Sequence, residues 1–334
     1  MKNSINRGIK KLLIFFLLLF FAAGGLARAD TVLKIGWSTA DSKNDPHAIL
    51  AHAFSAEINK IAPGEFTVQM FPNGQLGNEY ELLQSQQLGT LDMALVAGSS
   101  ASEIVPAFQL NDLPFLYKNE EEVFRVLDGK AGKMMFKLLD EKGIVGLGFL
   151  NAGFRNVLNN KRSINTPEDL SGVKLRVVPS DVFIDIFKAL GANPVPMQWG
   201  DVFTAVQQGT IDGLEVPLSV AYGSKYQEVV KNLSLTQHIF NAPIFTISKS
   251  TYGKLTPEQQ SKVVTAARSA IEAQRATVSS NNAGILENMK NSGMVINAIA
   301  DQEAFREKTK SVYDKYRAII GPDIISAALE EIDK

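Results

Sequence analysis

Residues 201–218 read DVFTAVQQGTIDGLEVPL. An apolar helical stretch runs to Gln207 and Gln208, Gly209 follows, and beyond Asp212 the residues Leu214 and Val216 have the look of a buried strand. Glycine takes the left-handed conformation that ends a helix, so the chain is expected to turn there from helix into strand. The same signature, Q-x-G-T-[L/I]-D, occurs at QLGTLDMALV, residues 87–96, again between a helical stretch and an apolar strand. Two unrelated helix-to-strand turns and an internal duplication both account for the echo. On either reading one such unit lies in each half of the chain, which predicts two α/β lobes.

Outward from the two units, strand and helix patterns keep alternating. Leu33, Ile35 and Trp37 alternate in VLKIGWS; Asp45 and Pro46 then cap and start a helix whose stripe is Leu50, Phe54, Ile58 and Ile61, stopped by Pro63 and Gly64. FTVQMF reads as a strand, Glu79 to Leu88 as a helix and LDMALV as a strand. Phe124, Leu127, Met134 and Leu138 have helical spacing leading into IVGLGFL; RNVLNN, a cap at Thr166 before Pro167 and Asp169, and KLRVV follow. The alternation predicts α/β layers, with helices on both faces of mostly parallel sheets. Thr256 to Gln259 form a capping box with proline at the first helical position, and Pro-free sequence runs on to Asn291, interrupted only by Gly284. About 35 helical residues at about 1.5 Å each reach roughly 50 Å, longer than one small lobe. A lobe-spanning helix is expected, kinked near Gly284, then MVINAI as a strand and two amphipathic helices.

Composition narrows the function. Residues 1–29 carry Lys2, Arg7, Lys10, Lys11 and Arg28, no acids, an apolar run from Leu12 to Ala23, and Ala27-Arg28-Ala29 before Asp30. This is the pattern of a secretory signal peptide cleaved after Ala29, which predicts a periplasmic product. Without the leader, 29 of the 34 basic residues remain against 35 acidic ones, a net charge of about −6. Nucleic acid, which requires a basic face, is a poor partner for such a chain. There is no cysteine among the 334 residues, so disulfides, thiolate nucleophiles and cysteine-ligated metal sites are excluded. His47, His52 and His238 are the whole histidine supply, and the first two are five apart, off the spacing that aligns two ligands on a helix. No nucleophile elbow, P-loop, dinucleotide fingerprint or zinc-protease motif occurs, and pairs such as Asp181 and Asp185 read as solvated helix faces. No enzyme, no cofactor and no metal site are expected.

What remains is a charge out of place. KLRVVPSDVFIDIFKALGANPVPM, residues 174–197, sets Arg176 in the middle of a short apolar strand. A guanidinium is always charged and presents a rigid fork of donors matched to a carboxylate. Arg155, in NAGFRNVLNN, has a similar setting, and two guanidiniums facing one pocket clamp a carboxylate, though each also reads as a strand arginine facing solvent or a structural acid. Trp37 and Trp199 are the two tryptophans; Trp199, in PMQWGD, reads as core or as the wall of a pocket. Ser38, Thr39 and Asn78 are candidates for neutral hydrogen bonds to a ligand or for helix caps.

Taken together, FPNGQLGNEYELLQSQQLGTLDMALV, NDLPFLY, GFRNVLNN, SINTPEDLSGVKLRVVPS, LGANPVPM, DVFTAVQQGTIDGLEVPL and KYQEVVKNLSLTQH resemble, in order and over nearly the whole mature chain, the substrate-binding subunit of tripartite ATP-independent periplasmic (TRAP) transporters of the DctP type. The resemblance implies a two-lobed periplasmic binding protein fold with crossing strands and a long lobe-spanning helix. Its expected division is residues 30–152 plus about 242–281 for lobe I and 153–241 plus about 282–334 for lobe II. It implies that Arg176 pairs with the ligand carboxylate, that Arg155 is a second ligand-facing arginine, that Trp199 is an aromatic wall, and that Ser38 and Glu79 touch ligand; Trp37 and Val216 complete the expected site. It also implies partners, a small organic acid and a small and a large membrane subunit driven by an ion gradient. Many members read G-Q-E-N-P where this chain reads GLEVP, so Val216 stands in place of an asparagine that commonly bonds ligand. An unpaired polar group there costs about 1–3 kcal/mol, which disfavours a highly polar ligand at that spot such as sialic acid. A hydroxy, keto or sugar monocarboxylate is the favoured cargo. The alternatives are a C4-dicarboxylate held at its far end by Arg155, an extracytoplasmic sensor role, and an exported α/β hydrolase or lyase.

Overall fold

The computed structural model describes residues 30–334, so the leader and its cleavage after Ala29 lie outside the described residues. The strands are β1 (Thr31–Trp37), β2 (Phe66–Phe71), β3 (Met93–Val96), β4 (Ile144–Phe149), β5 (Gly153–Asn159), β6 (Lys174–Val177), β7 (Asn193–Pro196), β8 (Gly213–Pro217), β9 (Asn232–Leu235), β10 (Phe240–Asn241), β11 (Ile244–Ser248) and β12 (Val295–Ala298). Of the helices, α1 (Pro46–Ile61), α2 (Glu79–Gln87), α3 (Gly98–Ala101), α4 (Glu120–Leu127) and α5 (Lys130–Glu141) precede β4. Then come α6 (Asp181–Ala189), α7 (Trp199–Gln207), α8 (Leu218–Gly223), α9 (Lys249–Lys254), α10 (Pro257–Asn291), α11 (Gln302–Ile320) and α12 (Pro322–Ile332).

Two sheets organise these elements, one ordered β2-β1-β3-β11-β4 and the other β12-β9-β5-β8-β6-β7, with β10 pairing β5 at the side. The echo that opened the sequence reading is built alike in both. Gly89 and Gly209 have φ of 72° and 71°, and in each turn the threonine N–H closes on a carbonyl five residues back, Thr90 on Ser85 and Thr210 on Ala205. Each aspartate then accepts a backbone N–H from the neighbouring strand, Asp92 from Lys34 at 3.0 Å and Asp212 from Lys174 at 2.9 Å. The parallel trio β2-β1-β3 thus matches β7-β6-β8 strand for strand.

The sheets are mixed rather than mostly parallel. Beside each trio lies an antiparallel strand, β11 next to β3 and β5 next to β8. These are the strands by which the chain passes between sheets: β5 follows β4 after three residues, and β11 follows β10 after two. A strand arriving from the other lobe enters from the opposite end, which reverses its direction. Hydrophobic alternation carries no information on direction, so the sequence could not show this.

Local signals seat the helices much as expected. Asp45 caps α1 through bonds to the N–H groups of His47 and Ala48, and Thr256 and Gln259 form the reciprocal capping box of α10. That helix runs unbroken over 35 residues, Gly284 included. Its first half buries Val263, Ala267 and Ile271 against Leu50 and Phe54 of α1, and its second half buries Ile285 and Met289 with Val220 of α8. The stripe expected at Met134 and Leu138 is displaced by one position: Met135 and Leu139 are fully buried. The tail, expected with residues 153–241, straddles both sheets: β12 joins β9, α11 contacts α6, and α12 packs on α4 and α5, where Arg125 Nε donates to the Glu331 carbonyl at 2.7 Å.

Gln274 braces the crossing point. From the middle of α10 its Nε2 donates to the Asn151 carbonyl at 2.7 Å, and its Oε1 accepts the Asn151 N–H at 3.1 Å. Replacing it with an apolar residue leaves two buried backbone groups without partners. The Gln274→Leu variant is therefore expected to lose about 2 kcal/mol of folding stability, read from chemical denaturation midpoints.

Candidate functional site

A cavity of about 380 Å³ lies between the two sheets, walled from one side by Ser38, His47 and Glu79 and from the other by Arg176, Trp199 and Val216. The local reasons are the strand-to-helix turns. Ser38 directly follows β1, Glu79 opens α2, and Trp199 opens α7, so each side chain is held at a C-terminal strand edge or a helix start where α/β sheets expose their crevices.

Arg176 extends from β6 and is 4 % exposed. Its Nε donates to the Met197 carbonyl at 2.9 Å, and the guanidinium sits 5.7 Å from the Trp199 ring centre. Among the described residues no acceptor takes either Nη group. Burial pushes its pKa down to about 10, with Glu215 pulling it up and Arg155 pushing it further down. It stays cationic at neutral pH, a largely buried charge on the cavity wall without a counterion in contact, which is the kind of perturbed group that marks functional sites.

Arg155, on β5, also reaches the cavity wall, but its charge is already engaged. Its Nη2 donates to Glu215 Oε1 at 2.7 Å and to the Glu215 carbonyl at 2.8 Å, and Nε donates to Oε2. Burial opposes the Glu215 carboxylate, yet the Arg155 charge and a hydrogen bond from His238 hold its pKa below the usual range. His238 is buried and its pKa is lowered, chiefly by desolvation; as a neutral ring it donates from Nε2 to Glu215 at 3.2 Å and accepts from Thr236 at 2.8 Å. Glu215 is the member of this group that sequence reasoning missed. A glutamate between Leu214 and Val216 in a strand buried throughout had to be paired, and that signal was present in GLEVP.

On the other wall Glu79 is fixed rather than free. Oε1 accepts from Ser38 at 3.0 Å, and Oε2 accepts from the Ala97 N–H at 3.2 Å and from Ser100 at 2.5 Å. Val216 lines the cavity as expected, and so does the half-buried Trp199. Trp37 does not. It is fully buried in the core around β1 with Leu50 and Phe245, because its position in the β1 alternation points it to the inner face. Thr39 and Asn78 line the cavity and serve as local anchors too, Thr39 donating to Asp45 and Asn78 capping α2. No group of three or more histidine and acidic side chains that could hold a metal occurs among the described residues.

Comparisons with known proteins cover nearly all of the described residues. The model of the DctP family, bacterial extracellular solute-binding protein, family 7, matches residues 37–318. The 2,3-diketo-L-gulonate-binding periplasmic protein YiaO of Escherichia coli is 33 % identical over 275 residues, 82 % of this chain and 83 % of that one. The sugar acid binding protein DctPAm from Advenella mimigardefordensis, solved in complex with galactonate, superposes with a TM-score of 0.88 at 31 % identity, covering 91 % of this chain and 98 % of its own. A TRAP periplasmic solute-binding protein from Polaromonas, bound to D-erythronate, gives a TM-score of 0.86 at 34 % identity, covering 90 % and 98 %.

Proposed function

The chain belongs to the DctP family of bacterial extracellular solute-binding proteins and is a TRAP-type binding protein for small organic acids; from that premise we propose that its ligand is a hydroxylated monocarboxylate, a sugar or hydroxy acid. The observation that carries this reading is the pairing of opposite walls. Arg176 offers two unclaimed Nη groups to a carboxylate, while the first-lobe wall offers a fixed anion, Glu79. A second carboxylate reaching that wall meets like charge, whereas a hydroxyl donates to Glu79 without opposition. Arg155 does not serve a dicarboxylate as a free second clamp, since Glu215 neutralises it. The galactonate, D-erythronate and 2,3-diketo-L-gulonate bound by the similar proteins are of the same chemical kind.

In this reading Arg176 grips the carboxylate, Arg155 contributes its remaining Nη1, Trp199 and Val216 close the apolar side, and Ser38 with Glu79 meets the hydroxyls. Lobe I supplies the second set of contacts and lobe II the first, so closure of one on the other dehydrates the ion pair. The acid then passes to a small and a large membrane subunit, with no covalent chemistry on the way. A thermal-shift screen tests the ligand class: galactonate or erythronate at 100 times its dissociation constant is expected to stabilise the protein by about 2.7 kcal/mol, and succinate at the same concentration by less. Stabilisation by succinate or by a neutral sugar alone would overturn the proposal.

A further inference from the structure

One wall residue has no place in that scheme. His47 lines the cavity, is 3 % exposed, and its Nε2 is buried without a hydrogen-bond partner. The other ring nitrogen is well held: Nδ1 lies 3.0 Å from Thr39 Oγ1 and 3.2 Å from Asp45 Oδ1. Thr39 has a single hydroxyl proton and gives it to Asp45 Oδ1 at 2.8 Å, so at Nδ1 its oxygen accepts. Nδ1 therefore carries a hydrogen in either charge state, and the ring is turned and locked by groups that are themselves buried. Asp45 is in turn anchored as the cap of α1, receiving the His47 and Ala48 N–H groups at 2.9 and 3.2 Å.

A buried nitrogen in a rigid ring is costly to leave unpaired, and native interiors satisfy such groups unless a ligand or water does so. We propose that His47 Nε2 is a specificity contact of the first lobe, pairing with a hydroxyl or keto oxygen of the bound acid on the side away from the carboxylate held by Arg176. This rests on the proposed ligand class and adds a residue to it. The charge around the ring suits an oxygen that is not ionised: Asp45 balances the imidazolium, and Glu79 stands near it. Burial pushes the ring's pKa down, but the Asp45 hydrogen bond and charge, together with Glu79, outweigh it and leave a net rise. In its protonated form Nε2 donates to the ligand oxygen, and in its neutral form it accepts from a hydroxyl.

The test is titration calorimetry with D-galactonate on three proteins. His47→Phe keeps the ring's bulk and removes the nitrogen; it is expected to bind about tenfold or more weakly, the loss of one hydrogen bond to a buried group. His47→Gln reaches a similar point with an amide and is expected to recover most of that loss. A phenylalanine variant that binds like the wild type, or a glutamine variant as impaired as the phenylalanine one, would overturn the assignment. A measurement on the unaltered protein keeps the proposal open to refutation if a variant folds poorly: with 15N-labelled histidine, galactonate is expected to shift the Nε2 resonance of His47 and leave that of the exposed His52 in place. An unmoved His47 signal in a protein that binds galactonate removes this inference alone. A wild-type protein that binds neither galactonate nor erythronate removes the ligand class and this inference with it.

Discussion

Arg176→Ala is expected to weaken binding of the organic acid by about 2–5 kcal/mol, the cost of truncating one side of a buried charge pair. In dissociation constants that is roughly 30-fold to several thousand-fold. The size follows from geometry. Among the described residues the arginine is the one cation on the cavity wall whose fork is unmatched by protein, because Met197 takes only Nε and Arg155 is spent on Glu215. The Arg176→Lys variant is expected to recover little, since an ammonium can neither keep the Met197 contact while presenting two parallel donors nor lie flat near Trp199. The same substitutions are expected to leave the ligand-free protein at least as resistant to denaturant. Holding an uncompensated guanidinium in a largely buried position opposes folding, as its depressed pKa records. Calorimetry with galactonate and a urea titration on each variant check both halves; unchanged affinity in the alanine variant would sink the assignment of Arg176.

The second large effect concerns Asp112, at the end of the 3₁₀ turn Pro106–Asp112. Its Oδ2 is buried and without a partner, and Arg155 and Glu215 are the charges that act on it. Burial pushes its pKa up to about 8, Arg155 opposing and Glu215 adding to the rise. Between about pH 4 and about pH 8 the folded protein then holds a proton that the unfolded chain has released. The native state binds more protons, so stability falls as pH rises through this window, by about 1.4 kcal/mol per unit and at most about 6 kcal/mol in all, and is level above it. An asparagine mimics the protonated acid in shape and does not titrate. The stability difference between the Asp112→Asn variant and the wild type is therefore expected to grow in the variant's favour from pH 5 to pH 8. Glu215, with its lowered pKa, acts only below the ordinary glutamate range, and the opposite contribution of His238 cancels in the difference. Urea midpoints at four pH values suffice, and a difference that stays flat would rule the mechanism out. The proton has a use: with Asp112 neutral, Arg155 and Glu215 balance one to one, and the charge of Arg176 is left unopposed on its own wall of the cavity.

Features decided within a few residues were legible in the sequence. The cap at Asp45, the capping box at Thr256, the left-handed glycines at 89 and 209 and the long helix to Asn291 rest on contacts between near neighbours. Arg176 was legible for the opposite reason: a charge in an apolar strand conflicts with its surroundings, and such conflicts gather at functional sites. Features that depend on distant partners were hidden. Arg155 meets Glu215 across 60 positions of sequence and a strand pair whose direction no periodicity reveals. Asp112 lies in NDLPFLY, which bore on the family resemblance without showing that its carboxyl is buried. His47 offered only a spacing unfit for metal, and its significance comes from Thr39 and Asp45 fixing one nitrogen and leaving the other. Trp37 went the other way: strand alternation already placed it beside Leu33 and Ile35 on the inner face, and rarity made it look functional.

The chain passes between the two halves of the molecule at β4 to β5, at β10 to β11, along α10, and again through the tail that ends on α4 and α5. Each additional tether removes orientations that the empty protein would otherwise sample. A ligand arriving in the crevice thus has fewer rigid-body freedoms left to freeze, and more of its contact energy survives as affinity. Four such tethers favour preorganisation, more than the number of atoms touched, as the source of affinity for a small acid.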